Sequence, residues 1–319
     1  MKIIVLDGHA LDPGDLCWDG IQRFGSLSVF DRTASEEEAI RRIGDAEIVL
    51  TNKTPITASL LDACPSIRLI CVLATGYNVV DCMAARSRGI PVCNVPSYGT
   101  DAVAQFTIGL LLELCHRIGY HDSLVHNGAW TTCPDFSFWR TPQMELAGKT
   151  MGIVGLGRIG TSVARIGDAL GMTVVAYSRS HREDVPAYIR YVSLEELLRS
   201  SDVVSLHCPL TDETTQIINE DTISLMKDGT ILLNTSRGPL IDDNAVAEAL
   251  KRGKLRGAAV DVVKKEPIPV DDPLLTAPNC IITPHMAWAP LESRRRLLSC
   301  VEANIAAFLT GDPQNVVNG

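Results

Sequence analysis

Short runs of β-branched residues alternate with longer amphipathic stretches along almost the whole chain, and this alternation constrains the fold more than any other feature. It is typical of βαβ units, in which crossover helices join parallel strands. The chain has 319 residues, and at roughly 150 residues per domain this length accommodates two domains. We therefore expect an α/β protein with two doubly wound, parallel-sheet domains.

The second half of the chain carries the clearest strand pattern. Helical patterns separate six predicted strands: Thr150–Val154, Thr173–Tyr177, Val203–Leu206, Thr230–Asn234, Gly257–Val262 and Cys280–Thr283. Six parallel strands with intervening helices are what two mononucleotide-binding halves require. We expect a Rossmann dinucleotide-binding domain over residues 100–285.

The remaining residues predict a smaller, flavodoxin-like domain. Its predicted strands are Ile3–Leu6, Glu47–Leu50, Arg68–Val72 and Pro91–Asn94. After residue 285 a single predicted helix, Leu291–Leu309, has no strand to pair with, so we expect it to return to the first domain. The predicted substrate (catalytic) domain is therefore discontinuous and comprises residues 1–99 plus 286–319.

An apolar helix and an aromatic segment open the second predicted domain. The helix is predicted over Thr100–Tyr120 and is apolar on most sides, so we expect it to be buried between layers. The segment His121–Gln143 has weak periodicity and contains Trp130, Phe136, Phe138 and Trp139. We expect an extended arm packed on another surface, with a second subunit as one candidate. Phe138 and Trp139 then either line the neighbouring subunit's pocket or pack in the interface.

Charge and cysteine content exclude several classes of protein. A net charge of -9 argues against a nucleic-acid binder or a polybasic membrane anchor. No apolar run approaches the ~18 residues that cross a bilayer, and the N-terminal strand lacks the features of a signal peptide. The ten cysteines are scattered without a CxxC pair, which favours reduced thiols. We expect a cytoplasmic protein without metal, nucleic-acid or membrane partners.

A glycine-rich loop follows the first predicted strand of the second domain. Gly155, Gly157 and Gly160 stand in G-x-G-x-x-G spacing between a strand and a helix. In this context the first glycine permits a tight turn, the second lets a pyrophosphate approach the backbone, and the third lets the helix pack on its strand. The helix N-terminus offers N–H groups and partial positive charge to the phosphates. The loop therefore predicts a dinucleotide site.

The end of the next strand bears on which dinucleotide is bound. An Asp or Glu is expected here for the ribose of NAD(H), but the strand ends in Ser178, Arg179 and Ser180. Loss of the acid removes repulsion of a 2′-phosphate, which Arg179 can bind in bidentate fashion while the two hydroxyls donate hydrogen bonds. We therefore expect NADP(H) to be favoured over NAD(H). Alternatively, Arg179 is a solvated arginine that stacks on adenine without a strong preference.

Three polar residues follow apolar strands in the second half of the chain. Arg237 follows ILLNTS, Glu266 follows GAAVDVVKK and His285 follows IITP. Each alone is compatible with an ordinary surface or loop residue. Because the carboxyl ends of strands line the ligand crevice in open α/β sheets, we expect the three together to mark a functional site.

These segments resemble the D-isomer-specific 2-hydroxyacid dehydrogenase family over essentially the whole chain. The resemblance is carried by GLGRIG, SLHCPLTDET, LLNTSRGPLID, DVVKKEP and ITPHMAW. TNKTPIT, ATGYNVVD and WAPLESRRRL most resemble the family's glycerate dehydrogenase (hydroxypyruvate reductase) branch. The resemblance implies that Arg237, Glu266 and His285 are catalytic, in a cleft that closes between a substrate domain and a cofactor domain.

The resemblance also implies which residues bind substrate and cofactor. It assigns the substrate to Ala74, Thr75 and Gly76 with Arg237 and His285, and suggests added positive charge from Lys53. Besides the residues already named for the dinucleotide, it implies cofactor contacts at Thr75, Thr107, Arg158, Ile159, Cys208, Pro209, Thr235 and Asp261. Asp261 is expected to face the nicotinamide amide.

The chemistry of these residue types suits the reduction of a 2-keto acid. His285 is expected to donate a proton to the keto oxygen, and a paired Glu266 would fix the imidazole tautomer. Arg237 can hold the carboxylate or polarise the keto group. We expect reduction of hydroxypyruvate or glyoxylate to the D-2-hydroxy acid by a homodimer. The alternatives are reduction of a bulkier aryl or branched 2-keto acid, and a dinucleotide-sensing, corepressor-like scaffold.

Overall fold

The chain folds into two compact units. A computed structural model describes residues 1–180 and 184–319. One unit comprises Met1–Gly99 and Trp288–Gly319, and the other comprises Thr100–Ala287. The second unit thus extends two residues past the boundary expected at residue 285.

The first unit is built on a five-stranded parallel sheet. Its elements before residue 99 are β1 (Lys2–Val5), a 3₁₀ turn (Gly8–Ala10), α1 (Asp19–Gln22), β2 (Ser26–Val29), α2 (Glu36–Ile43), β3 (Ile48–Thr51), α3 (Ala58–Ala63), β4 (Leu69–Val72), α4 (Cys82–Ser87) and β5 (Val92–Cys93). The strand order is β2-β1-β3-β4-β5, the flavodoxin-like order. β3 and β4 are buried at every position because both faces of the sheet are covered.

The second unit contains a larger parallel sheet. Its described elements are α5 (Thr100–His116), α6 (Ile118–His126), β6 (Thr150–Val154), α7 (Arg158–Ala169), β7 (Thr173–Tyr177), β8 (Ile189–Tyr191), α8 (Leu194–Ser200), β9 (Val203–Leu206), α9 (Glu220–Leu225), β10 (Thr230–Asn234), a 3₁₀ turn (Gly238–Leu240), α10 (Asp243–Lys251), β11 (Leu255–Val260), a 3₁₀ turn (Pro273–Thr276) and β12 (Cys280–Ile282).

The strand order of this sheet indicates where a ligand crevice is expected. The order is β12-β11-β10-β9-β6-β7-β8. It follows the 3-2-1-4-5-6 order of dinucleotide-binding domains with one further strand, β12, beside β11. The strand order reverses between β6 and β9, which pair directly. Ligands in such sheets bind beyond the carboxyl ends of the strands at this reversal.

The fold differs from the sequence-based expectation at one long helix. Thr100–Tyr120 is not a single helix, because α5 ends at His116 and α6 begins at Ile118. Arg117 between them has a left-handed φ of 50°, and its guanidinium donates to Asn279 Oδ1 at 2.8 Å. The segment expected to be an arm from residue 121 is therefore helical as far as His126, and residues 127–143 carry neither helix nor strand.

The last helix, α11 (Leu291–Leu309), belongs to the first unit. Leu297, Val301 and Ile305 are buried in its core cluster. Arg294 on the same helix donates to both carboxylate oxygens of Asp15, at 2.5 and 2.6 Å. The first turn of α11 is thereby fixed to the segment that follows the first 3₁₀ turn.

Two further features of the described residues bear on function. None of their helices is both long and apolar enough to cross a membrane. All ten cysteines are free thiols.

Candidate active site

The carboxyl edge of three neighbouring strands carries the candidate catalytic residues. Arg237 follows β10, Glu266 follows β11 and His285 follows β12. These strands are adjacent and parallel, in the order β12-β11-β10. Their following loops therefore emerge at the same edge of the sheet, as the sequence predicted for these residues.

His285 and Glu266 are directly paired. His285 Nδ1 lies 2.8 Å from Glu266 Oε2, and the two side chains are 31% and 35% exposed. The pair is thus neither on the open surface nor in the core. Because Nδ1 faces the carboxylate, Nε2 lies on the opposite side of the ring. This arrangement can fix the tautomer of an imidazole that exchanges a proton through Nε2.

The backbone of His285 is held in an unusual conformation by Asp261. His285 has a left-handed φ of 53°, and its N–H donates to Asp261 O at 2.8 Å. The Asp261 carboxylate accepts from Thr283 Oγ1 at 2.6 Å and from the N–H groups of Met286 and Ala287, each at 2.9 Å. Asp261 is 1% exposed and lies just past β11. The sequence led us to expect that its carboxylate faces the cofactor. In the structure this carboxylate accepts hydrogen bonds from the turn that carries His285.

Arg237 is presented by a braced turn. Asn234 Nδ2 donates to Arg237 O at 2.9 Å, and Asn234 Oδ1 accepts from Ser236 N at 3.1 Å. A Cβ on Gly238 would lie 2.0 Å from Val263 C, so this turn packs against the residues that follow β11. The Arg237 side chain is exposed at the rim. Sequence reasoning missed Asn234, although a polar residue that ends an otherwise apolar strand is a usable signal.

The glycine loop has the geometry that a pyrophosphate needs. A Cβ on Gly155 would lie 2.4 Å from Cys208 N, and one on Gly160 would lie 2.2 Å from Gly155 O, so both positions require close backbone approach. A Cβ on Gly157 would meet nothing within 4 Å, which leaves space above the loop. No side chain caps the first turn of α7, which begins at Arg158. The residues present therefore fit a dinucleotide.

The other residues expected to contact the cofactor occupy two kinds of position. Most lie at the carboxyl edge, in the first turn of α7 or after β7, β9 and β10: Arg158, Ile159, Ser178, Arg179, Ser180, Cys208, Pro209 and Thr235. Thr107 instead is fully buried in α5. Its hydroxyl donates to Val103 O and lies 2.8 Å from Thr235 Oγ1. Thr107 thus positions Thr235 and does not reach the surface itself.

The groups beneath the glycine loop are uncharged. His207 Nε2 lies 2.8 Å from Ser205 Oγ, and burial lowers the pKa of His207 to about 4. Burial raises the pKa of the neighbouring Cys208 thiol to about 11. At neutral pH the imidazole therefore adds no positive charge here, and the protonated thiol does not repel an incoming phosphate. The role of His207 was not anticipated from the sequence.

Arg179 meets a carboxylate from another loop. Its Nη1 lies 3.2 Å from Glu213 Oε2, in the segment after β9. Sequence reasoning did not anticipate Glu213, because the two residues are 34 positions apart.

The expected substrate loop lies in the first unit, at the carboxyl end of β4. Thr75 Oγ1 donates to Val95 O, and Asn94 Nδ2 donates to Thr75 O, both at 2.7 Å. Ala74 O accepts from Val95 N at 3.0 Å. Within residues 1–180 and 184–319, no hydrogen bond uses the N–H of Thr75 or Gly76. Two backbone donors are therefore available to an anion.

The chain is similar to known proteins over nearly its whole length. Residues 108–287 match the model of the D-isomer specific 2-hydroxyacid dehydrogenase, NAD binding domain. The chain is similar to a hydroxypyruvate reductase of Blautia hydrogenotrophica, with 54% identity over 321 residues and 100% of both chains covered. It is also similar to a glycerate dehydrogenase of Methylorubrum extorquens, with 38% identity over 99% of this chain and 98% of that one.

A solved structure extends the similarity to the fold of the whole chain. An acyclic imino acid reductase in complex with NADPH and D-Arg has a TM-score of 0.85 and 32% identity, covering 99% of this chain and 100% of that one. The family model spans more than half of the present chain, and the curated relatives span nearly all of it. The chain therefore belongs to the D-isomer specific 2-hydroxyacid dehydrogenase family.

Proposed function

We propose that this enzyme reduces a small 2-keto acid, hydroxypyruvate or glyoxylate, to the corresponding D-2-hydroxy acid or glycolate, with NADPH preferred over NADH. The observation that carries the proposal is the 2.8 Å pair of His285 Nδ1 and Glu266 Oε2 at the same sheet edge as Arg237. The similarity to a hydroxypyruvate reductase and a glycerate dehydrogenase supports the substrate class.

The proton is supplied by His285. When bound, a dihydronicotinamide would supply the hydride that the carbonyl carbon receives. His285 Nε2 donates its proton to the keto oxygen, so the C=O double bond becomes a C–O single bond while one C–H and one O–H bond form. Glu266 holds Nδ1 and thereby orients the ring for transfer through Nε2. In the oxidation direction the neutral imidazole takes the proton back.

The substrate carboxylate is held by permanent and backbone donors. Arg237 offers a planar fork of N–H groups that suits a carboxylate or a polarised keto oxygen. The N–H groups of Thr75 and Gly76 supply further donors, with Ala74 as their neighbour. Donors that hold the carboxylate also orient the keto group, and such positioning contributes much of the rate in reactions of this kind.

The preference for NADPH depends on Arg179. Ser178, Arg179 and Ser180 offer a cation and two hydroxyls at the end of β7, where no carboxylate stands in the sequence. The similar reductase that was solved with NADPH is compatible with this assignment.

A panel of keto acids tests the substrate class. We expect hydroxypyruvate and glyoxylate to be turned over with NADPH, and phenylpyruvate and branched 2-keto acids to react poorly. Steady-state consumption of NADPH measures each rate. Turnover of phenylpyruvate with hydroxypyruvate and glyoxylate inert would reject the proposal in favour of a bulkier substrate.

The cofactor preference is tested with Arg179→Ala. Loss of a charge-assisted phosphate contact should cost about 1.5–3 kcal/mol in kcat/KM for NADPH, which is roughly 10- to 150-fold, and leave NADH nearly unchanged. An equal loss with both cofactors would show that Arg179 does not bind the 2′-phosphate.

We also propose an assembly and a compartment, supported by exposed apolar side chains and by the free thiols. Residues 127–143 expose Trp130, Phe136 and Trp139, and we propose that this arm packs on a second copy of the chain. The ten free thiols support a reducing, cytoplasmic location.

A further inference from the structure

The carboxylate that the sequence lacks at the end of β7 is supplied by a different loop. Glu213 Oε2 lies 3.2 Å from Arg179 Nη1, and the two side chains are 73% and 81% exposed. The end of β7 therefore carries a cation and an anion side by side, although position 178 is a serine. A ribose 2′-substituent that reaches Arg179 also meets Glu213.

The turn that carries Glu213 is well supported. Thr211 N donates to Thr214 Oγ1 at 2.8 Å, and Thr214 Oγ1 donates to Pro209 O at 2.7 Å. Thr215 N donates to Thr211 O at 2.9 Å. The turn follows directly on Cys208, whose N would lie 2.4 Å from a Cβ on Gly155. Glu213 thus stands on a hydrogen-bonded turn anchored beside the glycine loop.

We propose that Glu213 is a second determinant of cofactor choice, an inference that rests on the proposed nucleotide site at Arg179. With NAD(H), the Glu213 carboxylate accepts the ribose 2′-hydroxyl, as an acid at the end of the second strand does in related sites. With NADP(H), it competes with the 2′-phosphate for Arg179 and repels it. The enzyme therefore uses both nucleotides, and its preference for NADPH is smaller than Arg179 alone would give.

The exposure of Arg179 and Glu213 sets the size of the expected effect on NADPH affinity. A 2′-phosphate carries up to two negative charges near neutral pH, so it outcompetes a single carboxylate for Arg179. Exposed ion pairs are screened by water and salt, so the competition costs the phosphate only about 2- to 10-fold in affinity. Glu213 therefore tunes the preference and does not reverse it.

The test is the binding of NADPH and NADH to the intact chain, measured as dissociation constants by calorimetric titration. Glu213→Gln should tighten NADPH by about 2- to 10-fold and weaken NADH, because a neutral amide replaces the carboxylate that accepts the 2′-hydroxyl. Asp212→Asn is the matched control, because it removes an adjacent exposed charge that has no described partner. It should change the ratio of the NADPH and NADH dissociation constants by less than about twofold.

In an Arg179→Ala background, Glu213→Gln should have a smaller effect on the affinity for NADPH, because the guanidinium for which the carboxylate and the phosphate compete is absent.

The outcomes separate this inference from the proposed function. An unchanged ratio in Glu213→Gln, or a change equal to that of Asp212→Asn, overturns the role of Glu213 even if hydroxypyruvate is reduced normally. A shifted ratio in an enzyme that reduces no keto acid supports the role of Glu213 and rejects the proposed function. Salt dependence of the Glu213→Gln effect is a further expected result, because the competition is electrostatic.

Discussion

Single residues at the sheet edge are positioned by contacts that have no local sequence signal. His285 adopts a left-handed φ because Asp261 receives its N–H and those of the next two residues. A non-glycine residue in that conformation costs roughly 1 kcal/mol or more and persists only where its surroundings determine it. The strain at His285 is thus offset by the buried Asp261 carboxylate, which makes Asp261 a positioning residue.

Asp243, which lies outside the candidate site, makes the free energy of unfolding depend on pH. Its Oδ1 is buried without a described hydrogen-bond partner at the start of α10. Burial, with a smaller contribution from Asp272, raises the pKa of Asp243 from 3.8 to about 6. Because the folded state holds this proton more tightly than the unfolded state, the folded state is not penalised by Asp243 at a pH below about 3.8. The free energy of unfolding then falls as the pH rises through about 6 and the buried carboxyl ionises. We expect Asp243→Asn to stabilise the chain by about 1–2 kcal/mol near pH 7.5, and little near pH 4.

Urea unfolding at the two pH values measures this effect. Asp221→Asn is the control, because Asp221 is an exposed acid in the first turn of α9. A stability change in Asp243→Asn that is the same at both pH values would contradict the assignment.

At the scale of elements, two glycines of the glycine loop have different roles, one in nucleotide binding and one in packing. Gly157→Ala should fold normally, because its Cβ meets nothing within 4 Å, but should fill the space for a pyrophosphate. Gly160→Ala should lower the melting temperature, since its Cβ would lie 2.2 Å from Gly155 O. Thermal melting and calorimetric titration with NADPH distinguish the two effects.

Gly109→Ala in α5 is the matched control for these variants. A Cβ there meets nothing within 4 Å, so the change should stabilise the helix by up to about 1 kcal/mol. Loss of fold in Gly157→Ala, or normal melting in Gly160→Ala, would show that the two glycines have been assigned the wrong roles.

Central strands were predicted more closely than edge strands, of which β5 and β12 were predicted somewhat too long. β6, β7, β9 and β10 have the predicted bounds, because their apolar runs are buried on both faces. β2 and β8 were missed, since each is at the edge of its sheet and is short or polar. The break at Arg117 depends on a bond to Asn279, which lies 162 residues away.

The candidate site was also predictable only where local sequence patterns fix the position of a residue. The glycines and strand ends gave the positions of Arg237, Glu266 and His285, because a parallel sheet brings successive strand ends to one edge. The pairing of Arg179 with Glu213 and the bonds of Asp261 arise from tertiary contacts between distant loops. No periodicity or spacing in the sequence encodes them.

On the scale of the whole molecule, an apolar arm is left uncovered. Phe136 is 92% exposed and Trp139 is 67% exposed in residues 127–143. We expect sedimentation equilibrium to give twice the mass of one chain, and Phe136→Ser with Trp139→Ser to weaken the association. Val270→Ser is the control, because Val270 is 96% exposed outside the arm. A monomeric native chain, or equal weakening by Val270→Ser, would reject the arm as the interface.

The proton transfer assigned to His285 is the centre of the proposed chemistry. The most direct measurement is kcat for hydroxypyruvate reduction by His285→Gln, with the dissociation constant for NADPH and the melting temperature measured on the same protein. We expect kcat to fall by about 10²- to 10⁴-fold while nucleotide affinity and melting stay close to the native values. A kcat within about fivefold of the native enzyme would contradict proton donation by His285.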